Sequence, residues 1–549
     1  MEPECYPSSI VPHSSRLFLD YTESAEPLAP FYSTAATGRG WMREGRRLSA
    51  EHRAKLADLL AAQNATFGGG ELTSRNIERL RNGASAVVTG QQVALFGGPL
   101  YTLLKAATAI ARAREATAAG FDTVPVFWLA SEDHDFAEIA HVDVPARDGE
   151  LKAVTIAPAP EIPLPVGGIP LGPRVVEALT EVEELLGAGD VTLLLREVYR
   201  PEATLAGAFG SLMARLFARW GLIVIDAAGA IDAAGAIDAA GRGFHALGAD
   251  VLAQAVCDAD ALHAALVERD KLLIERGYHA QVMVGEQSSL LFLIEEKTGA
   301  RLPLRRVTVD GTRQWKAGGR RYTSDELLEI VKVAPERCSP NALLRPVFQD
   351  AVLPTSAYIA GPAEIAYFAQ SEVLYRKILG RPTAVLPRLS ATLIEPKIAT
   401  VMERHEVRLP DALTSADALA QRLAARAMPI EGKRKLAAAG NSLDDELRAV
   451  TEWMAQMDAG LGRAATTAAS KMRYQMNRLR RLAAHYQLEK EASLARHAQA
   501  ITQALYPGGH LQERVVAGIY FLATQGDGLL DPLIAAASDA CPGHKVLPL

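Results

Sequence analysis

A strand–helix–strand pattern near residue 100 constrains the fold of this chain more than any other feature. Ala86–Thr89 is a short apolar run closed by Gly90, and Val124–Ala130 (VPVFWLA) is a second, longer one. Between these runs, apolar residues recur at helical spacing over Pro99–Arg114. Two apolar strands joined by a helix are typical of the βαβ unit of a parallel sheet. The pattern therefore predicts an α/β fold.

The length of the chain predicts several structural units. At 549 residues it exceeds what one hydrophobic core usually holds, since a domain takes about 100–200 residues. Alternating apolar and polar residues after position 250 predict an antiparallel lobe inserted into the parallel sheet, with strands such as Ala280–Gly285 and Leu290–Glu295. We predict five segments: 1–249, a lead-in and the first part of the core; 250–337, an inserted α+β lobe; 338–410, the second part of the core; 411–505, a helical coiled-coil arm; and 506–549, a C-terminal segment returning to the core.

The arm is predicted from a heptad-like repeat. Apolar residues from Leu447 to Ala464 follow 3-4 spacing, and a second register runs from Met472 to Tyr486 after a stutter. We interpret the segment as a long, partly coiled-coil arm rather than a helical subdomain with its own core. Dimerisation of two identical chains through the arm is a hypothesis. The basic residues at 471–481 are better explained as a solvated helix face than as an RNA-binding patch.

Composition excludes several other classes of protein. Apolar residues make up 49% and charged residues 22%, with a formal charge of -6, so neither disorder nor nucleic-acid binding is indicated. We expect no membrane span, because no apolar stretch approaches the roughly 20 residues that one requires. The start of the chain does not resemble a signal peptide. The four cysteines form no CxxC pair, so we expect neither a zinc knuckle nor a disulfide framework. A cytoplasmic location is predicted.

One short repeat interrupts the core region. The hexapeptide IDAAGA occurs at Ile225 and Ile231, and a third copy begins at Ile237. These units are too short to form a solenoid. We interpret them as a tandem duplication in a surface loop or helix start rather than as a functional element.

The loop Thr89–Pro99 (TGQQVALFGGP) is the first candidate for a binding site. It follows a predicted parallel strand, and open α/β sheets bind ligands at the carboxyl ends of their strands. Its glycines permit close backbone approach, its glutamines can bond a ribose, base or amide, and the following helix offers N–H groups to an anion. It matches neither the P-loop nor the dinucleotide fingerprint, and a purely structural turn is the alternative. The predicted substrate- or nucleotide-binding residues here are Gly90, Gln91, Gln92, Gly97, Gly98 and Lys105.

The sequence Ser131–Phe136 (SEDHDF) is the candidate catalytic segment, because it directly follows the second buried strand. His134 can act as a general acid or base near neutral pH. Asp133 and Asp135 could orient His134 or join it in binding a divalent metal. Capping of the next helix by these acids is the alternative. We favour a metal-free catalytic site and predict no metal.

Three further segments contribute polar candidates. Arg345 can hold a carboxylate or phosphate, and Glu364, after Gly361 and Pro362, either binds substrate or caps a helix. Around Ser390, cationic residues are candidates for anion binding. The binding residues predicted from these segments are Asn341, Arg345, Glu364, Arg388 and Lys397.

Taken together, these segments resemble the bacillithiol biosynthesis family of cysteine-adding enzymes, BshC. The resemblance runs from LFLD at Leu17 nearly to the end of the chain. It rests on six stretches: TGQQVALFGGPLYTLLKA from Thr89, PVFWLASEDHDFAEI from Pro125, SPNALLRPVFQD from Ser339, GPAEIAYFAQ from Gly361, LPRLSATLIEPKI from Leu386 and LYPGGHLQERV from Leu505. It implies a Rossmann-like core with inserted connecting-peptide lobes, and a coiled-coil arm that supports a homodimer.

The resemblance also implies a reaction. A ligase of this family would join L-cysteine to glucosaminyl-malate through an amide, a new carbon–nitrogen bond that completes the low-molecular-weight thiol bacillithiol. Because amide formation from a free carboxylate runs uphill in water, we expect activation by ATP, with ADP or AMP as product. Class I aminoacyl-tRNA synthetases form adenylates on a similar core, but the HIGH motif is absent and Ser390–Lys397 echoes KMSKS only loosely. Adenylate and acyl-phosphate routes both stay open.

On this reading the predicted residues take roles. His134 is the base that deprotonates the attacking amine, and the Gly90–Pro99 loop with Lys105 binds phosphate. Asn341, Arg345 and Glu364 hold the polar groups of the substrate. Two alternatives remain: a metal-dependent hydrolase or transferase using Asp133, His134 and Asp135, and a non-enzymatic coiled-coil scaffold with a ligand-sensing core.

Overall fold

The computed structural model describes residues 3–36, 38–43, 45–156, 161–229, 238–309, 312–538 and 541–549. The chain divides into two compact units. The core unit takes Glu4–Ala391 and Glu513–Lys545, and the helical unit takes Thr392–Gln512 with short terminal pieces. The finer division into five segments stays a prediction. The IDAAGA copy at Ile231 lies outside the described residues.

The strands are short, and most lie in the core unit. In chain order they are β1 Glu4–Tyr6, β2 Ser85–Gln91, β3 Thr123–Leu129, β4 His141–Pro145, β5 Leu151–Thr155, β6 Ile223–Ile225, β7 Ser288–Ile294, β8 Arg301–Val309, β9 Thr312–Ala317, β10 Arg320–Tyr322, β11 Cys338–Pro340, β12 Thr355–Ala360, β13 Ala384–Pro387, β14 Ser390–Ile394 and β15 His544–Pro548.

The helices range from single turns to more than eight turns. In chain order they are α1 Arg16–Thr22, α2 Ala50–Phe67, α3 Glu71–Arg81, α4 Tyr101–Ala118, α5 Phe136–Ile139, α6 Arg174–Leu186, α7 Asp190–Val198, α8 Leu205–Leu216, α9 Ala239–Leu247, α10 Ala249–Cys257, α11 Ala259–Glu275, α12 Ser324–Val333, α13 Arg345–Val352, α14 Pro362–Leu379, α15 Pro396–Arg404, α16 Leu409–Ala412, α17 Ala416–Ala427, α18 Ile430–Met457, α19 Ala459–Lys490, α20 Ala492–Leu505, α21 Gln512–Val515, α22 Gly518–Gln525 and α23 Leu530–Ser538.

The centre of the core unit is a five-stranded parallel sheet in the order β13-β12-β2-β3-β6. All seven residues of β3 are buried, as are six of the seven in β2, because helices cover both faces of a parallel sheet. The predicted α/β fold is thus confirmed. Helix α4 begins at Tyr101 rather than Pro99 and continues to Ala118, beyond the predicted end at Arg114.

The strand order places a ligand crevice beside β2. From β2 the chain moves outward through β3 to β6, and it then returns to the other side of β2 with β12 and β13. In open α/β sheets such a reversal leaves a crevice at the carboxyl ends of the strands, and ligands bind there. Gln91 ends β2, Leu129 ends β3 and Ala360 ends β12, so the segments that follow these residues meet at this edge.

The predicted antiparallel lobe is a five-stranded sheet in the order β10-β9-β8-β7-β11. Leu290–Glu295 corresponds to β7, but the prediction of a strand at Ala280–Gly285 is wrong. The reason is visible at Val282, whose backbone N–H and C=O both bond the side-chain amide of Gln370 rather than a neighbouring strand. The sheet also extends past residue 337, since β11 pairs with β7.

The helical unit contains an antiparallel hairpin of α18 and α19. Asp444 on the outgoing helix pairs with Arg473 on the returning helix at 2.7 Å. The predicted seam from Leu447 to Ala464 is wrong as one continuous helix, because the chain reverses at Asp458. The Asp458 carboxylate accepts the backbone N–H groups of Gly460 and Leu461 and thereby caps the returning helix.

The structure corrects one further expectation. Cys5 and Cys541 form a disulfide although 536 residues separate them in sequence. Cysteine spacing could not reveal this pair, because the fold alone brings the two ends of the chain together. Cys257 and Cys338 are free. No helix among the described residues is long and apolar enough to cross a membrane.

Candidate active site

A cavity of about 620 Å³ opens at the carboxyl edge of the parallel sheet, within the core unit. Its walls come from the ends of β2 and β3, the start of α14 and the antiparallel lobe. Segments far apart in sequence therefore supply one site. The predicted residues that line the cavity are Gly90, Gln91, Gln92, Lys105, Asp133, His134, Asn341, Arg345, Glu364 and Arg388.

A buried ion pair between Lys105 and Glu364 forms part of the cavity wall. Lys105 Nζ lies 2.6 Å from Glu364 Oε2, and it also donates to the Gly90 carbonyl at 2.7 Å and to Gln91 Oε1 at 3.0 Å. An ammonium group has three donors, so these contacts use them all. Burial lowers the pKa of Lys105, although the neighbouring Glu364 carboxylate raises it in part. Lys105 therefore braces the end of β2 rather than offering an open charge to a phosphate.

Glu364 is held from three sides. Its carboxylate accepts the Gly361 N–H and the Tyr358 hydroxyl, each at 2.7 Å, besides Lys105. Burial alone would raise the pKa of Glu364, but Lys105 and these hydrogen bonds bring it below its usual value. The sequence alternative of helix capping is thus realised, because Glu364 bonds the backbone N–H that precedes α14.

Gly90 is required by the closeness of neighbouring strands. A Cβ at this position would lie 3.1 Å from the Trp128 carbonyl oxygen and 3.2 Å from the Tyr358 hydroxyl. Such contacts are tighter than nearly all real Cβ contacts, and the first of them involves backbone that cannot move freely. The absence of a side chain lets the end of β2 sit between β3 and β12 with its carbonyl turned to Lys105.

Arg345 presents an unused donor in the cavity wall. Its Nη2 donates to the Tyr367 hydroxyl at 2.6 Å, whereas its buried Nη1 has no hydrogen-bond partner among the described residues. Burial would lower the pKa of Arg345, but Tyr367, Tyr358 and Glu364 raise it above its usual value. A buried guanidinium with a free N–H group suits a carboxylate or phosphate oxygen of a ligand.

His134 is held at one ring nitrogen. The Arg301 guanidinium lies 3.0 Å from His134 Nδ1, and since a guanidinium only donates hydrogen bonds, Nδ1 accepts. The proton of the neutral ring is then on Nε2. Arg301 also stacks over Phe292, with its central carbon 3.7 Å from the ring centroid, and donates to Ser339 Oγ at 3.0 Å. In this arrangement His134 offers a donor to the cavity.

Asp133 is fixed beside His134. Its carboxylate accepts Gln92 Nε2 at 2.8 Å and the His134 backbone N–H at 2.7 Å. Burial would raise the pKa of Asp133, but these two hydrogen bonds and the charge of Arg301 lower it. Gln92 thus connects the Thr89–Pro99 loop with the segment after β3, as the proximity of the two strand ends predicts.

Sequence reasoning placed Glu132 in the candidate cluster Glu132–Asp135 but missed the residues that contact Glu132 and His134. The buried carboxylate of Glu132 accepts Ser339 Oγ at 2.5 Å and lies 3.4 Å from His245 Nε2. Burial would raise the pKa of Glu132, but His245, Ser339 and Arg301 lower it. Ser339 begins one of the recognised stretches, which is a usable signal. Neither His245 nor Arg301 has a local pattern that would have singled it out.

Arg388 is supported by a glutamate from the C-terminal part of the core unit. Its Nη2 lies 2.6 Å from Glu513 Oε1, and its guanidinium faces the ring of Tyr101. Glu513 also accepts Ser390 Oγ at 3.1 Å. The neighbouring Arg514 is exposed and lines the cavity, and its side chain bonds no residue that the structure describes. Arg514 is therefore an available cation, and the stretch LQERV was the signal for it.

Four predicted residues lie outside the cavity lining. Gly97 and Gly98 adopt positive φ in a buried turn, and the Leu100 N–H after them donates to the Val516 carbonyl, so residues 516–518 cover the start of α4. Asp135 caps α5 by accepting the Glu138 N–H. Lys397 belongs to the helical unit, where its side chain is exposed, 3.5 Å from Glu395.

Asn341 lines the cavity but its side chain is engaged in a turn. Its Oδ1 accepts the backbone N–H groups of Leu343 and Leu344 at 3.0 Å, and its Nδ2 donates to the Ser289 carbonyl at 3.3 Å. The residue therefore shapes the entry to α13 and joins it to the antiparallel lobe. Asn341 can therefore bind a ligand only through the hydrogen-bonding capacity of its side chain that these three bonds do not use.

The described residues contain no group of three or more histidine, cysteine or acidic side chains placed to hold a metal. The local contacts explain why Asp133, His134 and Asp135 do not form one. Asp133 accepts a hydrogen bond from Gln92, and His134 Nδ1 accepts one from Arg301. Asp135 caps α5 by accepting the Glu138 N–H. Among the described residues, these three side chains are therefore not arranged as one metal-binding set.

A parallel α/β sheet with a cavity that contains charged side chains at its carboxyl edge, joined to a helical hairpin, defines a Rossmann-like protein with a coiled-coil arm. The chain belongs to the bacillithiol biosynthesis BshC family. Its residues 1–389 match the family model described as the N-terminal Rossmann-like domain, and residues 391–549 match the C-terminal coiled-coil domain. The resemblance inferred from the sequence motifs is confirmed.

Relatives match over essentially the whole chain. A protein of Koribacter versatilis is 42% identical over 549 residues, and one of Solibacter usitatus is 33% identical over 567 aligned positions, each covering 100% of both chains. A protein of Salinibacter ruber is 30% identical, covering 97% of this chain and 96% of its own. Each bears the name "Putative cysteine ligase BshC". The chain is accordingly an enzyme of the ligase class, as expected from the sequence.

Proposed function

We propose that this enzyme forms an amide between the carboxyl group of L-cysteine and the amine of glucosaminyl-malate, with activation of the carboxyl group by ATP. The observation that carries the proposal is the full-length match to a family named for bacillithiol biosynthesis and cysteine ligation. The non-enzymatic scaffold alternative has no comparable support.

The charges of the cavity fit these substrates. Glucosaminyl-malate carries two carboxylates on its malate part, and cysteine carries one. Arg345, with its unused Nη1, and the exposed Arg514 are two cations in the wall that can bind such groups. Each charge-assisted hydrogen bond of this kind contributes about 1.5–3 kcal/mol.

The nucleotide would use the same kind of contact. ATP supplies the adenylyl or phosphoryl group that makes the cysteine carboxyl reactive, and both routes remain in the proposal. Its phosphates fit guanidinium donors, of which Arg388 is braced by Glu513 and Arg514 is open. Lys105 is not proposed for phosphate, since Glu364 and two oxygens of the β2 end occupy its three donors.

His134 and Asp133 are proposed to handle the proton of the attacking amine. The amine must lose a proton as the new bond forms, and His134 lies in the cavity wall for this purpose. Because Arg301 occupies Nδ1, the ring accepts a proton there only after a bound acidic group draws Arg301 away. Until then His134 donates through Nε2, and Asp133 fixes its segment.

We further propose a homodimer formed through the helical hairpin, in the cytoplasm. Several large apolar residues of α18 and α19 are exposed in the single chain, including Trp453, Met472, Leu479 and Leu482. Apolar residues in such numbers on long helices are typical of a surface covered by a second chain. Cytoplasmic location follows from the proposed ATP and thiol chemistry.

The direct test combines the pure full-length protein with L-cysteine, glucosaminyl-malate and ATP. We expect a product with the mass of bacillithiol, and AMP rather than ADP if activation goes through an adenylate. Omitting any one component should abolish the product. In cells, deletion of the gene should remove bacillithiol while glucosaminyl-malate accumulates; unchanged thiol levels in that strain would refute the ligase proposal.

A further inference from the structure

The disulfide between Cys5 and Cys541 lies at the surface of the core unit. Cys5 is exposed in β1 and Cys541 is half-buried just before β15, with 6.1 Å between their Cα atoms. The two backbones are closely apposed beside it, since a Cβ at Gly543 would clash with the carbonyl oxygen of Tyr6. A small molecule can therefore reach the sulfur atoms, while the backbone holds them in bonding range.

We propose that Cys5 and Cys541 form a reversible exchange site for low-molecular-weight thiols and their disulfides. Disulfides in intracellular proteins are usually transient or redox-sensing, and exposed ones are the more readily exchanged. The biological meaning rests on the proposed function, because the enzyme would then sense the class of compound that it makes. The exchange chemistry itself does not depend on that function.

The exchange is balanced in two steps. One cysteine thiolate attacks a small disulfide, forms a mixed disulfide and releases the first small thiolate. The second cysteine thiolate then attacks the protein sulfur of that mixed disulfide and releases the second small thiolate. Two electrons pass from the protein dithiol to the small disulfide, and excess small thiol reverses both steps.

The other cysteines are less suited to this chemistry. Burial raises the pKa of the Cys338 thiol to about 12, so its reactive thiolate is scarce. Cys257 is exposed but has no second cysteine beside it, since Cys5 pairs with Cys541 and Cys338 is buried. Cys257 can therefore hold a mixed disulfide but cannot resolve it, which makes it a matched internal control.

The exchange site is joined to the cavity by a short chain of contacts. His544 lies three residues after Cys541, and its Nδ1 is 2.8 Å from Ser390 Oγ. Ser390 donates to Glu513, which forms the ion pair with Arg388 in the cavity wall. Opening the disulfide removes the covalent restraint on the segment that leads into β15, where His544 lies, and we expect the position of Arg388 to respond to the redox state of the pair.

The test uses the full-length protein, first reduced and then exposed to oxidised glutathione as the probe. We expect the Cys5–Cys541 cross-link in peptide maps, a loss of the mass of two hydrogen atoms, and full reversal by reduced glutathione. Cys257→Ser should form the same cross-link as the parent and lack only the glutathione adduct that Cys257 holds, whereas Cys5→Ser should retain a glutathione adduct on Cys541. A pair that never cross-links, or one that no excess of thiol opens, would overturn the proposal.

A second measurement tests the link to the cavity. The affinity for L-malate, used as a probe of the cationic wall, is measured by calorimetry on the oxidised and the reduced protein. We expect the two affinities to differ by about fivefold or more, and the difference to vanish in Cys5→Ser. Equal affinities would refute the link. Exchange without any ligase activity would refute only the proposed function.

Discussion

Lys105 Nζ and Glu364 Oε2 lie 2.6 Å apart, and this contact joins α4 to the start of α14 across the carboxyl edge of the sheet. Both side chains are largely buried, so each charge depends on the other. The pair belongs to the cavity wall and also secures the ends of β2 and β12. Its role is therefore structural: the pair stabilises the part of the cavity wall that the cationic groups of the site share.

We predict that Lys105→Met destabilises the protein by about 3–5 kcal/mol, because it leaves the Glu364 carboxylate buried without its partner. Urea denaturation monitored by circular dichroism measures the change. The double variant Lys105→Met with Glu364→Gln should recover a large part of the loss. If Lys105→Met unfolds like the parent but loses nucleotide affinity, Lys105 is a phosphate ligand and our assignment is wrong.

Arg345→Met is expected to raise the KM for glucosaminyl-malate by about 10- to 100-fold, because a buried charge-assisted contact contributes about 1.5–3 kcal/mol. Steady-state kinetics on the ligase reaction test this. Tyr367→Phe is the matched control, since it removes only the hydroxyl that Arg345 already bonds. An unchanged KM in a folded Arg345→Met variant would remove Arg345 from the binding site.

His134→Ala should lower kcat by about 10²–10⁴-fold, the range expected for loss of a general acid or base. Asp135→Asn should change kcat by no more than about twofold, because Asp135 caps α5 outside the cavity. Nitrogen NMR of the ligand-free protein should show that the neutral form of the His134 ring carries its proton on Nε2. A proton on Nδ1 would contradict the hydrogen bond from Arg301.

Asp226 should make stability depend on pH. Burial raises the pKa of its carboxyl to about 6, whereas the unfolded value is near 3.8. The folded protein then binds more protons than the unfolded chain between these values, so the stability contributed by protonated Asp226 falls as pH rises through this window. Asp226→Asn should gain on the order of 2–3 kcal/mol over the parent above pH 6 and little below pH 4.

The control for this comparison is an acid whose pKa moves in the opposite direction. Arg388 lowers the pKa of Glu513 despite its burial, so protonation of Glu513 at acid pH destabilises the folded protein. Because Asp226→Asn does not change Glu513, this variant should still lose stability at acid pH. Parallel stability curves for the parent and Asp226→Asn between pH 4 and 7 would contradict the raised pKa of Asp226.

Replacing Trp453 with Ser should weaken the proposed homodimer, because Trp453 is 59% exposed in the single chain and lies on the long hairpin. Sedimentation velocity measures the association, and Glu452→Ser at the neighbouring exposed position is the control. A parent chain that sediments as a monomer at all concentrations would refute the dimer.

The sequence by itself determined the parallel sheet and the edge that carries the site. Strands β2 and β3 are readable because burial on both faces demands continuous apolar runs, and the polar segments that follow such strands must meet at one edge. The cavity-lining positions of Gln92, Asp133 and His134 follow from this. The hairpin turn at Asp458 was not readable, because apolar spacing continues through it while a single side chain caps the returning helix.

Tertiary structure alone decided which charged side chains are paired with another residue and which can still bind a ligand. Lys105 and Arg345 look alike as candidate cations in sequence. In the structure Glu364 pairs with Lys105, whereas Nη1 of Arg345 has no hydrogen-bond partner within the described part of the chain. Only the folded chain likewise shows that Cys5 bonds Cys541 and that Arg301 donates to His134. Such pairs join residues more than 150 positions apart, and local spacing carries no information about contacts that only chain folding creates.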